Sequence, residues 1–380
     1  MNRMKCLSAK KRLMIGCSFV LLLAESSQAQ PSNQSPSFLY SVGAYGYLQK
    51  MDAAMNTLTT ARVPNLARDI RIAAADISPD GRRLFLAVSR KENPLVIVET
   101  ADLSVVPDVN VPFPSPPEPW IRHVPFDIVA VTSEILYWSD ECYTTASTGA
   151  YSTVLVNLRE KTAKPVREWS FENKNAIQIS PDRGRIATYH RGGVGIIRAS
   201  TGEVLKTVGR EVIGERIIVS FNMDWSQNIL QCCVVPWTTT GDSVEKLRID
   251  MNSSQVITRE SIESTGGLHF PDFSTGRRVL TSATTYVLGE DGDIQIFDNT
   301  ECKLSKKLDS VVADVTPGSK LALYVAPRGN SIFVQKNAVK TLADGNAKGV
   351  SSLYAVDGES GQVVATIDYP DEIVAVLFGK

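Results

Sequence analysis

The chain has 380 residues, with 40 lysines and arginines against 41 aspartates and glutamates and a formal net charge of −1. That balance is poor bait for nucleic acid, which selects strongly basic surfaces. The length suits two average domains or one large repeat architecture.

Residues 1–29 read as a secretory signal peptide. Arg3, Lys5, Lys10, Lys11 and Arg12 form a basic region, residues 13–24 are an apolar run, and Ser27-Gln28-Ala29 offers small residues for cleavage before Gln30. The run is short for a membrane span, and Cys17 lies inside it rather than after it, which argues against lipidation. No later stretch reaches the apolar length of a transmembrane helix, so a soluble chain, secreted or periplasmic, is expected. Losing the leader leaves 35 basic against 40 acidic residues, a mildly acidic protein. Residues 30–37 read as a polar, disordered tail.

Three short strand-like runs follow, at 38–47, 48–55 and 58–63, with no strand before them. Residues 51–60 are the best helical candidate in the chain and fit a strand pair equally well. Next comes a four-strand unit at 72–77, 84–88, 95–98 and 103–106. Its first two strands are joined by Ser78-Pro79-Asp80-Gly81, with Pro and Gly where a type I turn favours them. The unit has an echo 102 residues later in Ile179-Ser180-Pro181-Asp182, with strands at 194–198 and 204–208. That spacing is about twice a propeller blade. An intervening unit falls at 127–131, 135–139, 152–157 and 166–169, with a longer connection at 142–150.

A fourth unit reads 217–221, 229–235, 244–249 and 255–260. A fifth reads 268–273, 279–283, 294–297 and 304–308. A sixth reads 312–315, 321–326, 352–356 and 363–367, with 327–350 as the largest insertion in the repeat. The chain ends on a single buried-strand run, 372–377, with nothing after it. Three strands without an inner one at the start and one inner strand alone at the end complete each other as a seventh blade. The expectation is an all-β, seven-bladed β-propeller in one domain over residues 38–380, closed by the C-terminal inner strand with the N-terminal outer strands. A pair of β-sandwiches also has many short strands, but it predicts neither the 102-residue register nor the incomplete termini.

The turn Ser78-Pro79-Asp80-Gly81 before the strand Leu84-Phe85-Leu86-Ala87-Val88 resembles the repeat of the YVTN-type, WD40-like propellers. There a Ser-Pro-Asp-Gly turn precedes a strand written Tyr-Val-Thr-Asn or a variant; here the namesake strand is altered. The likeness is sharp over 76–106 and 178–208 and weaker over 268–308 and 312–367. It implies a superfamily that includes lactonase-like propellers, surface-layer propellers and the heavy subunit of methylamine dehydrogenase. The Gly-His and Trp-Asp signature of eukaryotic WD repeats is missing, and Asp224-Trp225 has the wrong order.

In a propeller, the connections leading into the inner strands line one mouth of the central channel. The candidate catalytic residues there are His123, His269, Arg122 and Glu172, because a near-neutral histidine serves as a base and an arginine holds a carboxylate or oxyanion. Candidate ligand-binding residues are Arg68, Arg71, Arg122, Lys174 and Arg216, with Asp371 and Glu372 among the acids nearby. The plainer account is that connections are polar because they are wet. With three histidines, one of them His190 on a strand, no metal site is expected. The carboxylates of 290–293 allow calcium but read better as a hairpin turn.

No GxSxG elbow, HExxH pair or P-loop is present, and no cofactor is expected. The five tryptophans share no period, and Trp138 and Trp169 read as packing between blades. The cysteines beyond the leader, Cys142, Cys232, Cys233 and Cys302, allow three disulfide pairings. Cys232 and Cys233 read as two buried thiols between blades, since neighbours on a strand face opposite ways. Asn252-Ser253-Ser254 fits a glycosylation sequon in a eukaryotic setting.

The functional expectation is an exported scaffold that binds a protein or small molecule at its channel mouth, with no nucleic acid and no membrane span. Two enzyme-linked alternatives come from the resemblance: the propeller subunit of a periplasmic amine dehydrogenase-like complex, whose redox cofactor sits in a small partner chain, or a lactonase-like hydrolase. No residue set in the sequence fixes a reaction.

Overall fold

The structure, a computed structural model, describes residues 38–379 except 65, 67–69, 90–93, 108, 115–121, 144–147, 167–168, 170–176, 191–192, 215, 237–242, 264–276, 282, 310, 313–314, 316–319, 327–330, 342–346 and 370. The leader and polar tail expected over 1–37 lie outside the described residues.

The chain forms seven antiparallel sheets. It starts with β1 (Phe38–Gly43), β2 (Tyr47–Asp52) and β3 (Thr57–Arg62), the outer strands of blade 7, so residues 51–60 are a strand pair. Blade 1 is β4 (Ile72–Ile77), β5 (Arg83–Val88) and β6 (Leu95–Glu99). Blade 2 is β7 (Arg122–Ala130), β8 (Ile135–Tyr143), β9 (Thr148–Asn157) and β10 (Thr162–Val166). Blade 3 is β11 (Ile177–Ile179), β12 (Arg185–His190), β13 (Gly193–Arg198) and β14 (Val204–Val208). After one helical turn, α1 (Arg210–Ile213), blade 4 is β15 (Arg216–Asp224), β16 (Ile229–Pro236), β17 (Ser243–Asp250) and β18 (Gln255–Glu263). Blade 5 is β19 (Arg278–Leu280), β20 (Thr284–Leu288), β21 (Ile294–Asp298) and β22 (Lys303–Leu308). Blade 6 is β23 (Lys320–Val325), β24 (Ser331–Thr341), β25 (Ala347–Asp357) and β26 (Val363–Tyr369). The last strand, β27 (Ile373–Gly379), returns to blade 7.

β27 pairs with β1 from Phe38↔Gly379 to Gly43↔Ile373, so the two ends of the chain share one sheet, as the incomplete termini require. The first strands ring the channel: β4 lies against β27 on one side and β7 on the other. Burial explains which run becomes which strand. Second strands such as β5 are apolar almost throughout, because neighbouring blades cover both of their faces. Outer strands such as β22 alternate exposed and covered residues, because they lie at the rim.

Among the described residues the core is divided into seven apolar clusters, one at each blade interface. Blades 3 and 4 share the largest, around Phe221, Leu230 and Leu247. Trp138 packs between blades 1 and 2, and Trp169 between blades 2 and 3. Blades 4 and 5 share the smallest, Val219, Cys233, Val244, Phe297 and Cys302.

Four expected strands are corrected. In blade 1, the run at 103–106 makes only the single bridge Val98↔Val105, because Pro107 lacks the N–H to continue and the chain crosses to pack Phe113 on Trp138. In blade 2 the outer strand is Thr162–Val166, not 166–169; Pro165 is tolerated because the strand is an edge. In blade 5, residues 279–280 belong to the first strand, not the second. A tight Thr281–Thr284 turn, with Thr281 Oγ1 accepting the Thr284 N–H at 3.0 Å, separates β19 from β20. The inner strand expected at 268–273 lies outside the described residues.

In blade 6 the expected inner run 312–315 lies partly outside the described residues, and its described members Val312 and Val315 fall in no strand. Val311 and Val312 are buried bends, and β23 is the first strand. The insertion expected at 327–350 is largely a hairpin of two eleven-residue strands, paired from Ser331↔Asp357 to Thr341↔Ala347. Its flanking strands reach only Asn337 and Ser351. Beyond them, 338–341 and 347–350 stand as a two-stranded ribbon at the channel mouth.

Candidate functional site

The mouth is the end of the channel where the first strands begin. Its best-defined part is the seam between blades 7 and 1. Asp371 precedes β27 and is nearly buried. Its carboxylate accepts the Tyr45 N–H at 2.9 Å and the Glu372 N–H at 2.7 Å. Ala44 N–H donates to the Glu372 carbonyl, and Ile72 N–H to the Ala44 carbonyl, both at 2.7 Å. These bonds fix the β1–β2 turn over the starts of β27 and β4. Arg71, just before β4, forms an ion pair with Glu372, and its guanidinium lies 5.3 Å from the Tyr45 ring centroid. Ser89 holds the Arg71 backbone, accepting its N–H at 3.0 Å. Tyr45 is 52% exposed, so the seam presents an aromatic residue backed by a cation and an acid.

A second group lies in blade 4. Arg216, the first residue of β15, forms an ion pair with Glu245 at 2.8 Å and donates to the Ile213 carbonyl at 3.2 Å. The other oxygen of Glu245 lies 3.7 Å from Arg259.

A third group lies in blade 5. Residues 290–293 form the β20–β21 hairpin turn, with Gly289 N–H on the Asp293 carbonyl at 2.9 Å. Gly292 has φ 83°, a left-handed conformation that favours glycine. Lys307 bridges Asp293 at 3.4 Å and Asp309 at 3.1 Å. Burial pushes the Asp293 carboxyl up, and its hydrogen bond and repulsion with Asp291 push the same way. Asp291 is held down by its bond to Asp293. Glu290 turns instead toward Arg277 at 3.4 Å. The carboxylates of this turn thus engage each other and the neighbouring cations. Among the described residues no cluster of His, Cys, Asp and Glu is arranged to hold a metal ion.

Deeper in the channel, Tyr324 of blade 6 is half-buried. Burial pushes its phenol up, and the negative charge of Asp127 in blade 2 adds to the effect. The Tyr324 hydroxyl donates to Gln335 Oε1 at 2.7 Å.

Of the sequence-selected residues, Arg71 and Arg216 are described in full, and each is bound to its own acid. Arg122 and His123 open β7, their backbones opposite Tyr143 and Cys142; their side chains lie outside the described set. Arg68, Glu172, Lys174 and His269 lie outside the described residues. Sequence reasoning missed Tyr45, whose one signal is its place in a Gly-Ala-Tyr-Gly turn between two strands. It also missed Glu245 and Lys307, which reach the mouth from third and fourth strands.

The expected pair of buried thiols is half corrected. Cys233 is joined to Cys302 across blades 4 and 5, while Cys232 faces the other way as a buried free thiol. The opposite facing of strand neighbours is what separates their fates.

No protein-family model matches the chain, and no curated protein is detectably similar to it. Among solved structures, the chain is similar to one described as the crystal structure of the eukaryotic initiation factor. The identity is 11% over 91% of this chain and 98% of that one, with a TM-score of 0.44. It is also similar to BamB from Moraxella catarrhalis, with 11% identity over 84% of this chain and 88% of that one and a TM-score of 0.43. Among the described residues no helix is long and apolar enough to cross a membrane.

Proposed function

We propose that this propeller is an exported binding scaffold that engages a protein partner at its channel mouth, on the seam of blades 7 and 1. The observation that carries the reading is the half-exposed Tyr45 with Arg71 stacked beside its ring and Glu372 fixing the guanidinium. Tyrosine and arginine are the residue types that dominate binding energy at protein interfaces when a rigid frame holds them. Asp371 and the strand ends supply that frame. Export is favoured by the leader-like N-terminus and by the Cys233–Cys302 disulfide, since such bonds persist in oxidising compartments. The paired turns Ser78/Asp80 and Ser180/Asp182, each with the serine hydroxyl on the aspartate at 2.5 Å, favour kinship with the YVTN-type propellers.

The test is quantitative capture from the exported fraction of the native host, comparing wild type with Tyr45→Ala and Arg71→Glu. A protein retained by wild type and lost from both variants is the expected result; identical capture profiles would overturn the reading. N-terminal sequencing of the exported chain checks the leader, with Gln30 as the expected first residue.

A further inference from the structure

Among the four-stranded blades the free edges at the rim differ in one respect. An outer strand exposes unpaired N–H and C=O groups, and proteins guard such edges with lysine, arginine or proline. β3 carries Arg62, β10 carries Lys164 and Pro165, and β14 carries Lys206. β18 carries Arg259, and β22 carries three lysines, 303, 306 and 307. β26 reads VVATIDY and carries neither a cation nor a proline.

β26 also presents the most exposed large apolar side chain among the described residues, Val364 at 67%, beside Val363 at 42%. Among the described residues it pairs with β25 alone, so its other edge is open. Its one charge is Asp368, which accepts a hydrogen bond from Ser352 at 2.6 Å. No described cation forms an ion pair with it.

We propose that β26 is a strand-addition site that takes an extended segment of a partner protein, with a branched apolar residue beside Val364 and a lysine or arginine beside Asp368. The backbone edge supplies affinity and the alternate side chains supply the register, as in other strand-addition complexes. The register with β25 shifts at Val364, so the strand's seven residues count as six regular steps, and at about 3.3 Å each they offer an edge of roughly 20 Å, enough for a six-residue segment. A basic partner segment is favoured over a second copy of this chain. Pairing β26 with itself about a two-fold axis brings no cation to Asp368. The site lies on the rim and does not depend on the mouth reading.

The test uses the purified chain and a dye-labelled, acetylated peptide of sequence Lys-Thr-Val-Thr-Val-Thr, alternating as β26 requires, with its Glu-first counterpart as control. Fluorescence anisotropy should show saturable binding of the Lys peptide, with about tenfold weaker binding of the Glu peptide and of the Lys peptide to Val364→Lys. Tyr45→Ala should bind like wild type, which separates this site from the mouth. Absence of saturable binding, equal affinity of the two peptides, or unchanged binding by Val364→Lys would overturn the proposal. So would a wild-type dimer in sedimentation that Val364→Lys dissociates, because the edge would then belong to a second copy.

Discussion

The side-chain amide of Gln335, in blade 6, donates to the carbonyl of Ile373, the first residue of the closing strand, at 2.7 Å. Ser351, from the same blade, accepts the Ile373 N–H at 2.9 Å. Both backbone groups of the residue that starts β27 thus bind side chains of the preceding blade, at the position where β27 also meets Gly43 of β1. Gln335 is buried and also binds Asn337 Oδ1 at 2.6 Å and the Tyr324 hydroxyl at 2.7 Å.

Gln335→Ala therefore takes this donor from the buried Ile373 carbonyl at the point of ring closure. Each buried group left without a partner costs about 1–3 kcal/mol, so the variant should lose at least that much in urea unfolding. Lys306→Met is the comparison. Lys306 staples blade 5 to the Glu359 carbonyl of blade 6 in the same inter-blade sense but at the surface, and its loss should change stability by less than about 0.5 kcal/mol. Equal effects would mean that burial is not what gives the Gln335 clasp its weight.

The parts of the fold visible in the sequence were those carried by local turn chemistry. Ser78/Asp80 and Ser180/Asp182 close the same turn by the same hydrogen bonds, so their 102-residue spacing reports blade geometry directly. Blade 5 was misread because the Thr281–Thr284 turn is closed by a hydroxyl without glycine or proline. Blade 6 was misread because β24 and β25 run past their sheet, where the residues need no apolar alternation. At the mouth, positions just before first strands were legible from the period alone, which is why Arg71, Arg216 and Glu372 were found. Their surroundings were not: Glu245 is 29 residues from Arg216 in sequence, and nothing in either local pattern links the two.

Gly193, which opens β13, tests how closely adjacent strands approach. A Cβ there would lie 2.0 Å from the Val208 carbonyl oxygen, a backbone atom that cannot rotate away. Gly193→Ala should destabilise blade 3 by about 1–3 kcal/mol. Gly349, at the base of the mouth ribbon, has nothing nearer than Glu372 Cβ at 3.9 Å. Gly349→Ala should be neutral or slightly stabilising, since it restricts the unfolded chain. Thermal unfolding of the two variants under one buffer checks both.

Acid sensitivity should come from the turns. Asp182 is held below the ordinary carboxylate range by the Ser180 hydroxyl, then by the Gly184 N–H. Asp224 is held down by the Ser226 hydroxyl and the Gln227 N–H, and Asp357 by the Ser360 N–H and hydroxyl. A carboxyl depressed in the folded state adds stability that is complete above its unfolded value, near pH 4, and is lost as pH falls through the folded value. Urea midpoints should therefore be flat from pH 7 to about 5 and fall below about 4. The combined Asp182→Asn, Asp224→Asn variant should show a shallower fall; an unchanged acid limb would locate the sensitivity elsewhere.

The Cys233–Cys302 disulfide sits where the ring has least apolar contact among the described residues, the five-residue cluster between blades 4 and 5. It links the second strand of one blade to the β21–β22 turn of the next, 69 residues on. Closing a loop of that length removes enough unfolded-state freedom to stabilise by about 4 kcal/mol in the chain-entropy treatment, with about 2–4 kcal/mol typical in practice. Cys302→Ser, or reduction of the wild type, should lower the urea midpoint accordingly. Cys232 does not replace the lost partner: it faces the cluster between blades 3 and 4, and burial pushes its thiol up and keeps it unreactive. Peptide mapping of the purified protein should find the 233–302 linkage, with alkylation of Cys232 only after unfolding. Blade 4–5 amides should gain the most hydrogen exchange on reduction, because that interface has the least apolar contact to hold it once the bond is cut.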